Sequence, residues 1–392
     1  MKILLVHNRY RQAGGEDAVF EAEKALLIEH GHEVREFVRD NREIESLGKF
    51  ASAGSAIWSR RSHRAIQQSL SDFRPDVAHF HNTFMLVSPA AYYACREARV
   101  PVVQTLHNYR LLCPAATFLR DGRVCEECLG KIPPLPGIWH ACWRGSRTQT
   151  AVAAAVYSIH YWLGTWQTQV DRYIALTEFA RQKFIAAGLA APKITVKPNF
   201  VARHPLAGPG AKRRGALFVG RLAPEKGIRT LLNAWRNAGD IPLQIVGDGP
   251  LREEAEAFVK QHNLKQIEFS GWLAREAVLQ RMRAAQFLVF PSEWYEGFPL
   301  TLAEAFACAT PVLASKLGGM AEIVTDGNTG LHVESGNAHA WTEKSIWAWT
   351  HPDEMQALGA NAWHAYEEKY TAEKNHELLM DIYARAIAER GR

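Results

Sequence analysis

The strongest constraint in this chain is a pattern that occurs twice. Short apolar runs of strand length alternate with amphipathic stretches of helical length. The first series is "MKILLVHN", "EHGHEVREFV", "DVAHFHN", "VPVVQTLHN", "RYIALTE" and "KITVKPNF". Continuous apolar runs mark strands whose sheet is covered by helices on both faces, the setting of parallel strands. The opening strand, the turn in "RQAGGED", a helix to residue 29 and a second strand make a βαβ unit. The pattern stops at "ARHPLAGPGAKRRG", residues 202–215, with two prolines, three glycines and a basic cluster. It restarts in "GALFVGRL", "IPLQIVGDG", "QIEFSGW", "QFLVFPS" and "TPVLAS". The expected fold is α/β, with two Rossmann-like domains: residues 1–203, a linker 204–214 and residues 215–372. Residues 373–392 read as a charged amphipathic helix, for which a return onto the first domain is one expected placement.

Length agrees with two domains, since 392 residues exceed one ordinary domain. A composition 47% hydrophobic and 22% charged is that of a globular chain. The apolar start, residues 1–6, is too short for an export signal, and no window has the apolar length of a membrane span. A cytoplasmic location is therefore expected. Residues 1–203 hold 26 Lys and Arg against 18 Asp and Glu, whereas residues 204–392 hold 20 against 23. A basic first half suits phosphates or an anionic membrane surface. No nucleic-acid motif is present, so nucleic acid is not an expected partner.

The candidate chemistry sits where strands end. In open α/β sheets, ligands gather at the carboxyl ends of strands. "VGRLAPEKG" places Arg221 and Lys226 there, where two cations either neutralise a diphosphate or stand as surface charges on a solvated loop. "IVGDGPLREEAE" places Gly247, Asp248 and Gly249 at the next junction, which is either a close approach to a ligand or a plain turn. "EWYEGFPLTLAE", residues 293–304, puts Glu296 in a loop after a buried strand and Glu304 about one turn into a helix. The amides of Leu300 and Thr301 open that helix, and a helix N-terminus suits phosphate. Carboxylates accept two hydrogen bonds from vicinal hydroxyls. One acid near a helix start would only complement the dipole. Two beside a Gly-Phe-Pro loop, with Phe298 in it, point to a ligand.

In the first half, Gly14 and Gly15 follow the first strand but lack the spacing of a dinucleotide fingerprint, which disfavours NAD. His107 ends one buried strand, with Tyr109 and Arg110 just beyond it. His81 and Asn82 end another. These four neighbours of His107 are candidates for the acceptor side.

Together these pieces resemble the retaining family 4 glycosyltransferases, two Rossmann-like domains facing a cleft in the B-type glycosyltransferase fold. The resemblance spans nearly the whole chain and is strongest from "FVGRLAPEKG" to "GGMAEIVTDGNTGLHV". The family's pair of Glu with seven residues between is matched by Glu296 and Glu304. Its diphosphate-gripping Arg and Lys are matched by Arg221 and Lys226, its Gly-rich loop by Gly14 and Gly15, and its cleft histidine by His107. The resemblance implies a nucleotide-sugar donor (a UDP- or GDP-sugar), with Glu304 on ribose, Glu296 on the donor sugar, and the Leu300 and Thr301 amides on the diphosphate. It implies retention at the anomeric carbon without a required metal or other catalytic cofactor. A glycan or lipid-linked acceptor in cell-envelope polysaccharide synthesis is the expected role. A sugar-nucleotide epimerase, a phosphorylase or an inactive nucleotide-sugar-binding scaffold are the alternatives.

Two features stand outside the resemblance. Cys113, Cys125, Cys128 and Cys142 lie within thirty residues, and "CEEC" has metal-knuckle spacing. A closed structural zinc site is one reading, and four reduced thiols in a loop-rich stretch is the other. In "IWSRRSHR", Trp58 stands beside Arg60, Arg61 and Arg64, and "WRGSRTQTAVAAAVYSIHYWLGTW" adds arginines and aromatic residues to an apolar helix. Tryptophan beside arginine suits peripheral contact with the anionic inner face of a membrane, and a core helix with a solvated loop is the alternative.

Overall fold

A computed structural model describes residues 1–11, 14–201 and 213–391. The expected linker therefore lies outside the described residues except for Arg213 and Arg214. The chain forms two compact units. The first comprises Met1–Phe118, Cys125–Asn199 and Asn375–Arg392. The second comprises Phe200–Lys374 with Leu119–Val124.

The first unit holds β1 (Lys2–Arg9), β2 (Glu33–Asp40), β3 (Val77–Phe80) and β4 (Val102–Leu106). A short antiparallel hairpin, β5 (Leu119–Arg120) and β6 (Arg123–Val124), is grouped with the second unit. The first sheet is completed by β7 (Arg172–Ala175) and β8 (Ile194–Val196). All six strands run parallel, in the order β2-β1-β3-β4-β7-β8. The order reverses between β1 and β3, so their carboxyl ends flank a switch point, where such sheets bind ligands. Helix Gly15–Glu29 covers one face, burying Phe20 and Leu27 against Ile3 and Leu5. The final helix, Ala372–Arg390, joins this core through Leu379, Ile382, Tyr383 and Ala386. Arg390 reaches Asp171 at 2.5 Å and Glu389 pairs with Arg172, which fastens its far end.

The second unit repeats the plan with β9 (Ala216–Val219), β10 (Leu243–Val246), β11 (Ile267–Gly271), β12 (Phe287–Phe290), β13 (Val312–Ser315) and β14 (Gly330–Val333). Its order is β11-β10-β9-β12-β13-β14, again all parallel, with the switch between β9 and β12. Phe218, Leu231, Trp235, Ile245, Val289 and Trp341 form its core. Among the described residues, no helix is long and apolar enough to cross a membrane.

Candidate functional site

The second unit gathers its charged groups at the switch point between β9 and β12. Lys226 closes a short turn, Pro224–Lys226, after β9. Its Nζ lies 2.6 Å from Glu296 Oε1, and Ser292 Oγ donates to the same oxygen at 2.6 Å. Glu296 is buried and Lys226 partly so. Two residues seventy positions apart are thus joined in one ion pair. The turn beside them depends on Gly227. Its φ is +69°, and a Cβ there would stand 2.0 Å from the Pro291 carbonyl oxygen. Arg221 is exposed, and its side chain makes no hydrogen bond or ion pair among the described residues.

Helix Leu300–Ala307 begins after Pro299 without a side-chain cap. The amides of Leu300 and Thr301 therefore stay open, as helix starts do unless capped. Glu304 sits on this helix and accepts from Arg275 Nε at 3.0 Å. Burial raises the Glu304 carboxyl above its usual range, with Arg275 opposing. Phe298 is buried and packs edge-on against Tyr370, so it anchors the loop.

Gly247 and Gly249 have a structural explanation. A Cβ on Gly247 would meet the Gly220 carbonyl at 1.9 Å, and one on Gly249 the Leu222 carbonyl at 2.4 Å. The two loops are laced together by Leu222 N to Asp248 O and Leu251 N to Leu222 O, both 2.9 Å. Asp248 accepts from the Gly249 amide and pairs with Arg252. The plain-turn reading accounts for this Gly pair.

The first unit has its own polar cluster around the ends of β1, β3 and β4. Gly14 donates to Asp17 Oδ2 at 2.8 Å, and Asp17 faces His7 Nε2 at 2.9 Å. A Cβ on Gly15 would meet nothing within 4 Å, so no packing demands glycine there. Glu16 accepts from Asn108 Nδ2 at 2.5 Å, and Asn108 Nδ2 also reaches Tyr10 at 3.3 Å. Burial raises the Glu16 carboxyl, and its Oε2 has no hydrogen-bond partner. His107 lines a cavity together with His81, Asn108, Arg110, Tyr157 and Trp166.

The expected acceptor-side residues part company here. Asn82 spends its side chain on Asn8 O at 2.9 Å and the Phe84 amide at 3.0 Å, which ties the ends of β1 and β3 together. Tyr109 is buried between Phe118 and Phe184, as a core residue. Arg110 lies 4.3 Å over the Phe84 ring and donates to Pro114 O at 2.9 Å, on the cavity wall. His81 is buried and faces His107 at 3.0 Å.

For metals, the described residues contain one group of three close ligand atoms, Glu23, His79 and His81, and the cysteines are not in it. Lys197 Nζ lies 2.9 Å from the other Glu23 oxygen, so the carboxylate already has a buried cation. A divalent ion beside it would leave excess positive charge in the core. The four candidate cysteines are free of disulfides. The Cys128 thiol is pushed up to about 12 by burial and by Cys113, with Cys142 and Cys125 adding to it. The Gly137 amide donates to Cys128 Sγ at 3.2 Å.

Sequence reasoning missed Arg275, Ser292, Glu16 and Glu23. "GGED" carried the only local signal for Glu16. The others are defined by partners distant in sequence.

Two units of this topology in one chain, each with a polar cluster at its switch point, have the fold of the B-type glycosyltransferases. HepE of Anabaena, solved in complex with UDP, aligns with a TM-score of 0.71 over 98% of this chain and 100% of that one, at 18% identity. Residues 14–203 match the model for Glycosyltransferase Family 4 and residues 207–364 that for Glycosyl transferases group 1. The chain belongs to the family 4 glycosyltransferases. An uncharacterised glycosyltransferase of Methanocaldococcus jannaschii is 37% identical over 40% of this chain, and the D-rhamnosyltransferase WbpZ of Pseudomonas aeruginosa 33% over 40%. The matched stretches cover 44% and 41% of those proteins, under half of each.

Proposed function

We propose that the protein is a retaining glycosyltransferase that moves a sugar from a nucleotide-sugar donor to a glycan or lipid-linked acceptor in cell-envelope polysaccharide synthesis. The observation that carries this reading is the cluster at the β9/β12 switch point. Lys226 and Glu296 are paired there, Arg221 is unengaged, a helix start is uncapped, and Glu304 is held by Arg275. Glu304 takes the ribose hydroxyls and Glu296 a hydroxyl of the donor sugar. The bond from the anomeric carbon to the diphosphate oxygen breaks, a bond to the acceptor oxygen forms on the same face, and the acceptor hydroxyl passes its proton to the departing diphosphate. Arg221, Lys226 and the Leu300 and Thr301 amides stabilise the charge on the departing diphosphate. That role makes a catalytic metal unnecessary. The open space at Gly15 suits a close approach of substrate to the backbone in the first unit.

Two features of the first unit extend the reading. Leu135, Trp139, Trp162 and Leu163 are exposed large apolar residues, with Lys131, Arg144 and Arg147 exposed nearby in sequence. They suit the anionic inner face of a membrane, where a lipid-linked acceptor resides. Cys113, Cys125, Cys128 and Cys142 take a structural zinc ion, with the Gly137 amide supporting one thiolate.

Thermal unfolding in a panel of UDP- and GDP-sugars tests the transferase reading. A true donor raises the midpoint by an amount that grows with the logarithm of its excess over Kd. Glu304→Ala should weaken that donor roughly tenfold or more, the loss of hydrogen bonds to a charged group. A panel without any shift would overturn the reading. Unchanged affinity in Glu304→Ala would remove Glu304 from the ribose.

A further inference from the structure

The first unit contains a chain of buried polar groups that ends on His107. His81 Nδ1 and His107 Nε2 lie 3.0 Å apart, so one of these nitrogens carries the proton they share. The choice is made further inside. His81 Nε2 lies 3.2 Å from Glu23 Oε1. It is a close contact rather than a formed hydrogen bond. Two acceptors facing each other at such a distance in a dry core would still be costly, so Nε2 bears a proton.

Glu23 is the fixed point of the chain. Burial alone would raise its carboxyl, but Lys197, His79 and His81 outweigh burial and hold it well below the usual range. Lys197 Nζ sits 2.9 Å from Glu23 Oε2 and 3.1 Å from Asn375 Oδ1, on the final helix. His79 Nδ1 stands 3.0 Å from Glu23 Oε1 and 2.8 Å from the Tyr383 hydroxyl, and its Nε2 faces Thr105 Oγ1 at 2.8 Å. An ionised carboxylate only accepts hydrogen bonds.

The protons then order themselves outward. Burial lowers His81 to about 4, so it is neutral and has one N–H, the one toward Glu23. Its Nδ1 is left as an acceptor, and His107 must donate from Nε2. Burial and His81 lower His107 well below its usual value, so it too is neutral. Its lone pair falls on Nδ1, which has no hydrogen bond among the described residues, on a side chain that lines the cavity.

We infer that Glu23 and His81 are positioning residues: they hold His107 in the single neutral tautomer whose Nδ1 accepts a hydrogen bond from a sugar hydroxyl of the substrate. This rests on the proposed glycosyl transfer, with His107 in its site. The second ring nitrogen of a histidine sets the role of the first in the same way at metal centres. Here the outer partner is a second histidine and the anchor is a buried ion pair, completed by Asn375 and Tyr383 from the final helix.

The test is nitrogen-15 NMR of the histidine rings in the full chain at neutral pH, run beside steady-state kinetics. His107 is expected as the pure Nε2–H tautomer. His81→Phe removes its partner and leaves the Glu23–Lys197 pair intact. The charge-balanced double variant Glu23→Gln/Lys197→Met removes the anchor, in case the first variant fails to fold. In whichever folds, His107 should show mixed tautomers, with kcat lowered roughly tenfold and donor KM little changed, as expected for a lost orienting contact. An Nδ1–H or cationic His107 in the unaltered protein would overturn the inference, as would a folded variant with full kcat. If His107→Ala keeps full activity while the tautomer is as expected, the assignment of His107 to the site fails and the proton order stands.

Discussion

A single atom at Gly227 separates a working turn from a broken one. The left-handed φ of +69° disfavours any side chain, and the Pro291 carbonyl occupies the place of a Cβ. Gly227→Ala should therefore cost stability by more than the roughly 1–2 kcal/mol of a strained left-handed residue. It should also displace Lys226 from Glu296 and weaken donor binding. Thermal unfolding and donor titration check both, and an alanine variant matching the parent in both would refute this account of the turn. Residues of this kind differ in how far sequence exposes them. Glu296, Glu304, Arg221 and Lys226 could be named as candidates because charged residues fall in the loops after two strands and in the helix that follows one of them. Arg275, Ser292 and Glu23 could not, because each is defined by a spatial neighbour. Glu23 and Lys197 are 174 positions apart, and no local pattern announces a buried ion pair.

At the scale of elements, strands were far more legible than their neighbours in space. The runs "MKILLVHN", "DVAHFHN" and "VPVVQTLHN" became β1, β3 and β4, since burial on both faces leaves little room for polar alternation. The strand order within each sheet was not in those runs, because order arises from which helix covers which face. The stretch between β4 and helix Arg147–Trp162 was opaque for another reason: it contains only a two-residue-per-strand hairpin and the five-residue helix Leu135–Trp139. A stretch so poor in regular structure gains from a cross-link, as small metal-bound folds do. The proposed zinc on Cys113, Cys125, Cys128 and Cys142 supplies one. Metal analysis of purified protein should find about one zinc per chain, with its removal by a strong chelator lowering the unfolding midpoint. Metal-free protein with full activity and an unchanged midpoint would exclude it.

For the whole molecule, charge and apolar exposure are unevenly shared. The surplus of Lys and Arg lies in residues 1–203, and four of the most exposed large apolar residues lie between 135 and 163. Cations and tryptophans together favour anionic lipid more than either alone. Flotation with liposomes should carry the protein upward when anionic lipid is present, less so at high salt, and much less after Trp139→Ala with Trp162→Ala. Protein that never floats with anionic vesicles would rule out the membrane surface.

The return of the final helix to the first sheet also sets an order of events during synthesis. Leu379, Ile382 and Tyr383 belong to the core that Ile3 and Leu5 begin. A nascent chain therefore carries β1 past the ribosome with one wall of its core still untranslated. Phe200–Lys374, the bulk of the second unit, emerges in an unbroken run and can fold as it appears. The first unit is begun before the second and completed after it, and the ion pair of Glu23 with Lys197 waits on Asn375 before its third partner arrives.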